Sequence, residues 1–249
     1  MEGVRHAGSA SARLPAFAAH VFVDDLGEPA LGEDDAHHLG RVLRLRDGEA
    51  VTAADGVGRW RPCVFNRGLL EATGDVIVTD TPVPAVTIAF ALTKGDKPEL
   101  VIQKLTELGV DRIVPLHAGH SVVRWDDAKA ARNTERFRAV ARSAAMQARR
   151  ARLPQVDDVT TLGELAAATP GLALAHPGGL PITLDTPCVA VGPEGGWTDD
   201  ELAAVARQVD LGATTLRAET AAFSAGVLLT ALRDGRVEAR LSPGSRLTT

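Results

Sequence analysis

The stretch Cys188-Val189-Ala190-Val191-Gly192-Pro193-Glu194-Gly195-Gly196-Trp197-Thr198-Asp199-Asp200-Glu201 runs from an apolar segment through a glycine turn into a polar helix start. Its first four residues suit a parallel strand covered on both faces. Gly192, Pro193, Glu194, Gly195 and Gly196 make a turn whose backbone a ligand can approach closely, with amide groups left free to bond it. Thr198 and Glu201 read as a capping box, the hydroxyl accepting from the Glu201 amide while the carboxylate reaches back. Strand, glycine turn and capped helix in this order indicate an α/β protein with ligand loops at the carboxyl edge of a parallel sheet. Two familiar phosphate loops do not fit. No Gly-Lys-Ser/Thr ending follows, the glycine spacing is not that of a dinucleotide fingerprint, and Glu194 would repel a phosphate. A neutral or cationic nucleoside suits the turn better, and a purely structural strand-to-helix turn is the alternative.

The alternation continues on both sides. Residues 86–92 form a continuous apolar run, and 98–108 a helix with Val101, Leu105 and Leu108 on one face and Gly109 as its stop. Residues 112–116 read as a strand, followed by a long Arg-rich helix that ends before Pro154. Residues 162–168 read as a short helix, 172–175 as a strand that His176-Pro177 ends, 214–216 as the last strand and 221–232 as the final helix. The loops at His176-Pro177, at the glycine turn and from Leu211-Gly212 to Thr220 would then converge on one pocket. Before Thr81-Pro82-Val83-Pro84 the signals change to short strands at 21–23, 49–54, 60–65 and 75–80, with a hairpin turn at Asp55-Gly56-Val57-Gly58 and a short helix at 34–39. The expected plan is a flexible tail over 1–17, a small β-barrel domain over 18–81 and the parallel α/β domain over 85–240.

A chain of 249 residues, 45% apolar and 24% charged, is ordinary for a globular protein and long enough for two unequal domains. No apolar run approaches the roughly 20 residues needed to cross a bilayer. Residues 1–15 lack the apolar core of a signal peptide, so a cytoplasmic location is expected. Cys63 and Cys188 sit in strand-like runs without metal-ligand spacing and read as buried free thiols. The formal net charge of −5 argues against nucleic acid until its distribution is considered. From Arg124 to Arg152 nine basic residues face only Asp126, Asp127 and Glu135, an excess that suits a phosphate backbone as well as a solvated helix face. His117 and His120 have no third ligand nearby, so no metal site is expected.

Four stretches carry a family resemblance: Lys94-Gly95-Asp96-Lys97, Ile102-Gln103-Lys104-Leu105-Thr106-Glu107-Leu108-Gly109-Val110, Gly192-Pro193-Glu194-Gly195-Gly196 and Leu216-Arg217-Ala218-Glu219-Thr220-Ala221. In order and spacing they resemble the ribosomal RNA small subunit methyltransferase E (RsmE) family of the SPOUT superfamily. His38-Leu39-Gly40-Arg41-Val42-Leu43-Arg44 resembles part of that family's PUA-like barrel. The resemblance implies a SPOUT-type parallel sheet with a C-terminal trefoil knot, bound S-adenosylmethionine, a homodimer, and methylation of uridine N3 in 16S rRNA, within the 30S subunit. It places Ala175, His176, Pro177, Gly192, Pro193, Glu194, Gly195, Gly196, Leu211, Gly212, Leu216, Arg217 and Thr220 at the cofactor; from the two basic stretches, Arg41, Arg44, Arg124, Arg142, Arg150 and Arg152 are the candidates to bind RNA. The chain departs from the family at Gly119-His120-Ser121, where Glu-Arg-Ser is usual, at Met146-Gln147-Ala148-Arg149-Arg150, and at His20, where a basic residue usually precedes the first strand.

Uridine N3 is barely ionised at neutral pH, yet its lone pair must attack the sulfonium methyl in line, so the site must favour the anion and align both reactants. Arg217 is the candidate for stabilising the uridine oxygens or the cofactor carboxylate. Glu219 or Glu194 could accept the proton or orient Arg217, although Glu219 could equally serve the start of the final helix. Two other functions stay open: methylation elsewhere on RNA, such as a ribose 2′-hydroxyl, and a non-catalytic RNA-binding or assembly factor.

Overall fold

The structure, a computed structural model, describes residues 14–238 and the backbone of residues 4–7. The chain divides into two compact units, Met1–Pro82 with Arg142–Leu153, and Val83–Ala141 with Pro154–Thr249. The return of Arg142–Leu153 to the first unit has no signature in the linear sequence, which places that segment inside the α/β domain.

The first unit is a mixed six-stranded sheet. In chain order it holds β1 (Val4–Ala7), β2 (Ala19–Phe22), α1 (Glu33–His37), a π-helical turn (His38–Val42), β3 (Glu49–Ala54), β4 (Arg59–Asn66), β5 (Leu69–Ala72) and β6 (Val76–Thr79). The spatial order is β1-β6-β4-β3-β2, with β5 paired to β4. β1 pairs in parallel with β6, so the expected tail contains a strand; residues 1–3 and 8–13 lie outside the described residues. The β3–β4 hairpin sets Ala54 opposite Trp60, and Gly56 and Gly58 turn it at φ +77° and +105°, conformations open to glycine. β5 escapes a sequence reading because only one of its four residues is buried. Val21, Leu39, Val51, Ala53, Cys63 and Phe65 form the core. Trp60 is buried beside Ala145 and Ala151 of the returning segment.

His20 is buried in this unit, where Thr52 Oγ1 lies 2.7 Å from Nδ1 and Arg150 O lies 2.9 Å from Nε2. A carbonyl only accepts, so Nε2 carries the proton and the neutral ring satisfies both neighbours. Burial is the main reason the imidazole is pushed down to about 4. An unfolded chain takes up that proton near pH 6.5, so stability is lost as pH falls from there to about 4, by up to about 3 kcal/mol. We expect the stability difference between wild type and His20→Asn to shrink by about that amount between pH 7 and pH 4 in urea melts; an unchanged difference would contradict it.

The second unit is built on parallel strands: β7 (Thr87–Ala91), α2 (Lys97–Glu107), β8 (Arg112–His117), α3 (Asp127–Gln147, the part to Ala141 in this unit), β9 (Gln155–Val156), β10 (Thr160–Thr161), α4 (Leu162–Ala168), β11 (Ala173–Pro181), β12 (Cys188–Val191), α5 (Asp199–Ala204), β13 (Arg207–Asp210) and α6 (Ala218–Arg233). The order is β10-β8-β7-β12-β11-β13, with β9 on β8. β7 and β12 lie at the centre and are wholly buried, as their unbroken apolar runs require. Pro98 opens α2, and Gly109 at φ +90° closes it. Both cysteines are buried, and burial pushes each thiol up to about 11, which leaves them inert at neutral pH. Among the described residues no helix is long and apolar enough to cross a membrane.

The last strand is Arg207–Asp210, not residues 214–216. Of its four residues only Val209 is buried, because β13 lies at the sheet edge and needs a single inward side chain. Thr214 and Thr215 have strand-like chemistry but lie exposed in the loop between β13 and α6. β11 also continues beyond His176-Pro177. Its pairing with β13 shifts register between Ala175 and Leu180, both of which face Val209, so His176, Pro177, Gly178 and Gly179 lie outside the regular ladder.

Candidate active site

The bulge within β11 and the loops at the carboxyl ends of β12 and β13 meet around a cavity of about 570 Å³, within the range of small-molecule sites. Ala175 to Gly178 form one wall, the glycine turn a second and the loop into α6 a third. Of the residues expected at the cofactor, Ala175, His176, Pro177, Gly192, Pro193, Glu194, Gly196, Leu211, Gly212 and Leu216 line it. Gly195, Arg217 and Thr220 do not. Gly195 turns towards His120, and Arg217 and Thr220 are exposed at the start of α6.

Long-range bonds hold these walls. Trp197, buried directly after the glycines, donates its indole N–H to Ala175 O at 3.1 Å and so ties the turn to β11. Asp210 accepts from Gly212 N at 2.8 Å and from Gly178 N at 3.0 Å, joining the bulge to the third loop. Those amide bonds, the Gly212 one foremost, hold its carboxyl below the usual range. The expected capping box is present: Glu201 N donates to Thr198 Oγ1 and Thr198 N to Glu201 Oε2. The other oxygen of Glu201 accepts from Gly119 N at 2.7 Å.

This last bond accounts for the departure at Gly119-His120. A Cβ at position 119 would lie 2.5 Å from Thr198 Cγ2, so glycine alone permits the contact. His120 Nδ1 sits 3.1 Å from Gly195 O and 3.2 Å from Gly196 O; both partners are acceptors, so this nitrogen bears the proton. The pair therefore braces the glycine turn and the cap of α5. His117 accepts from Trp125 N at 3.4 Å, and among the described residues no group of three potential ligands could hold a metal.

Glu194 and Glu219 are bridged by Lys97, a residue to which the sequence reading assigned no role. Its Nζ lies 3.6 Å from Glu194 Oε1 and 3.3 Å from Glu219 Oε1. The Glu219 carboxyl is held below its ordinary range, first by a hydrogen bond from its own backbone amide and then, against the cost of burial, by Lys97. Glu219 thus pairs with Lys97 and not with Arg217. The signal for Lys97 lay in the Lys94-Gly95-Asp96-Lys97 motif, but its partners are distant in sequence.

The arginines expected at RNA divide into two groups. Arg142 donates to Asp35 at 2.7 Å and to Phe22 O at 3.1 Å, and Arg152 to Val57 O and Thr79 O. These two are committed to holding the first unit together. Arg149 does the same through Pro15 O and Phe17 O, which gives the altered 146–150 segment a structural task. Arg41 and Arg44 are exposed at the π-helical turn and just beyond it, Arg124 is exposed with one nitrogen bonded to Gly119 O, and Arg150 is half-buried.

Comparison with known proteins matches residues 79–230 to the family model of the RNA methyltransferase domain and residues 31–72 to that of the RNA methyltransferase PUA domain. Ribosomal RNA small subunit methyltransferase E of Mycobacterium bovis is 38% identical over 211 residues, 76% of this chain and 80% of the relative. The Bacillus subtilis protein of the same name is 29% identical over 221 residues, covering 76% and 84%. Among solved structures, ribosomal RNA small subunit methyltransferase E from Neisseria gonorrhoeae bound to S-adenosylmethionine aligns with a TM-score of 0.72 at 25% identity, covering 86% of this chain and 97% of that one. A Legionella pneumophila protein solved with the same cofactor aligns with a TM-score of 0.75 at 26% identity, covering 85% and 96%.

Proposed function

The chain belongs to the ribosomal RNA small subunit methyltransferase E family, and we propose that it transfers the methyl group of S-adenosylmethionine to N3 of a uridine in 16S rRNA. The observation that carries this reading is the convergence of ten residues expected at the cofactor on one 570 Å³ cavity at the carboxyl edge of a parallel sheet. The glycine turn, Leu211, Gly212 and Leu216 would hold the cofactor, with exposed backbone to bond it and small residues to admit it. When bound, the cofactor supplies an electrophilic methyl on a cationic sulfur.

The protein's part is to position the uridine and favour its N3 anion. Arg217, exposed beside the cavity between lining residues Leu216 and Ala218, is the group to stabilise the developing charge on the uridine oxygens. A Glu219 carboxyl held below its ordinary range is a poor acceptor for a proton as weakly acidic as uridine N3–H. This favours stabilisation of the anion by positive charge over a carboxylate base. Exposed Arg41, Arg44 and Arg124, with Arg150, would meet the RNA backbone.

The fold reading extends to a trefoil knot: β12 inserts between β7 and β11 while β13 continues beyond β11, a path that supports threading. A cytoplasmic homodimer acting on the 30S subunit completes the reading. Methyl transfer from labelled S-adenosylmethionine to 30S subunits lacking the modification, with a new reverse-transcription stop in 16S rRNA, is the expected result. Label without a stop would point to a 2′-O-methyl group, since N3 methylation blocks Watson–Crick pairing of the uridine and a 2′-O-methyl leaves it intact. No label would leave an RNA-binding factor.

A further inference from the structure

Lys97 stands at the first position of α2, and its two carboxylate partners come from different walls of the cavity. Glu194 belongs to the glycine turn and lines the cavity itself. Glu219 lies in the first turn of α6, between cavity-lining Ala218 and close to Ala221. The three charges are unequally exposed, Glu219 the least and Glu194 the most. The other charged group acting on Glu219 is Arg217 at the entry to the helix, whose influence is weaker than that of Lys97.

We propose that Lys97 is a positioning residue of the methyl-donor site, an ammonium that fixes the glycine turn against the first turn of α6. The inference rests on the reading of this cavity as the cofactor site. Its physical basis is charge balance. With Lys97 in place, two carboxylates share one cation and both walls are drawn to a common point. Without it they are like charges close enough to repel, and the glycine turn is the element able to yield. The repulsion works directly against the His120 and Trp197 bonds that brace the turn. The cavity, which Glu194 and Ala218 both line, would then widen.

The test is calorimetric titration of S-adenosylmethionine into the full-length protein. Lys97→Met should weaken binding by about tenfold, the effect of losing two partly exposed ion pairs and gaining a repulsion, with the melting temperature nearly unchanged. Lys97→Arg, which keeps the charge, should stay within about threefold of wild type. Adding Glu219→Gln, at the carboxylate that does not line the cavity, to Lys97→Met removes the repulsion and should restore most of the lost affinity, a recovery that mere loss of packing would not give. Wild-type affinity in Lys97→Met, or no recovery in the double variant, would overturn the proposal. Failure of the wild type to bind would instead overturn the cofactor-site reading and the proposal with it.

Discussion

Replacing Gly192 with valine raises the dissociation constant for S-adenosylmethionine by about 100-fold, equivalent to about 2.7 kcal/mol, while the protein stays folded. Gly192 ends the strand segment that feeds the cavity, and a Cβ there would lie 3.0 to 3.3 Å from Trp197 Cε2, Cδ2 and Nε1. Alanine would fit only if the ring gave way by a few tenths of an ångström. Valine has two further carbons, which must either displace the ring or enter the cavity. A displaced ring loses its bond to Ala175 O and with it the tie between two walls. A filled cavity excludes the ligand directly. Calorimetric titration, with thermal melts as the control for folding, measures the effect. A valine variant that binds within threefold of wild type would show that the ligand does not reach this wall.

Gly179→Ala is expected to cost about 4 kcal/mol or more of stability, at the upper end of what single substitutions do. An ideal Cβ at this position falls 2.7 Å from the carbonyl carbons of Gln208 and Val209 and from Val209 N. These are backbone atoms of β13, so no side-chain rotation relieves the clash. The only relief is to part β11 from β13, which releases the bulge and Asp210 together. Adjacent Gly178 is the natural contrast. Its φ is +80° but a Cβ would meet nothing within 4 Å, so Gly178→Ala should cost only about 1 kcal/mol of backbone strain. Equal urea midpoints for the two variants would rule out the close β11–β13 approach.

The legible parts of this protein are those whose physics is local. The run from Ile88 to Leu92 must be a covered strand because nothing polar interrupts it. The Thr198–Glu201 box caps α5 because both bonds close within four residues. The glycine turn is recognisable because a positive φ at Gly196 requires glycine. The misread and unread parts depend on neighbours distant in sequence. β13 carries one buried residue and owes its place to β11. Arg142 resembles an RNA contact until Asp35 is set beside it. Lys97 carries no local sign that it meets Glu219, 122 positions away.

By itself, then, the sequence determined the parallel α/β class, the glycine turn, the motif residues that come to line one cavity, and the family to which they point. These follow from periodicity, capping and backbone freedom, which act over a few residues. Only the tertiary structure decided which charges are committed. It set His20 and Arg142 to internal work, bound Gly119 to the cap of α5 and His120 to the back of the glycine turn, and placed Lys97 between Glu194 and Glu219. The reason is that a charged side chain has no preferred partner in sequence. Its partner is whichever opposite charge or carbonyl the fold brings within about 4 Å.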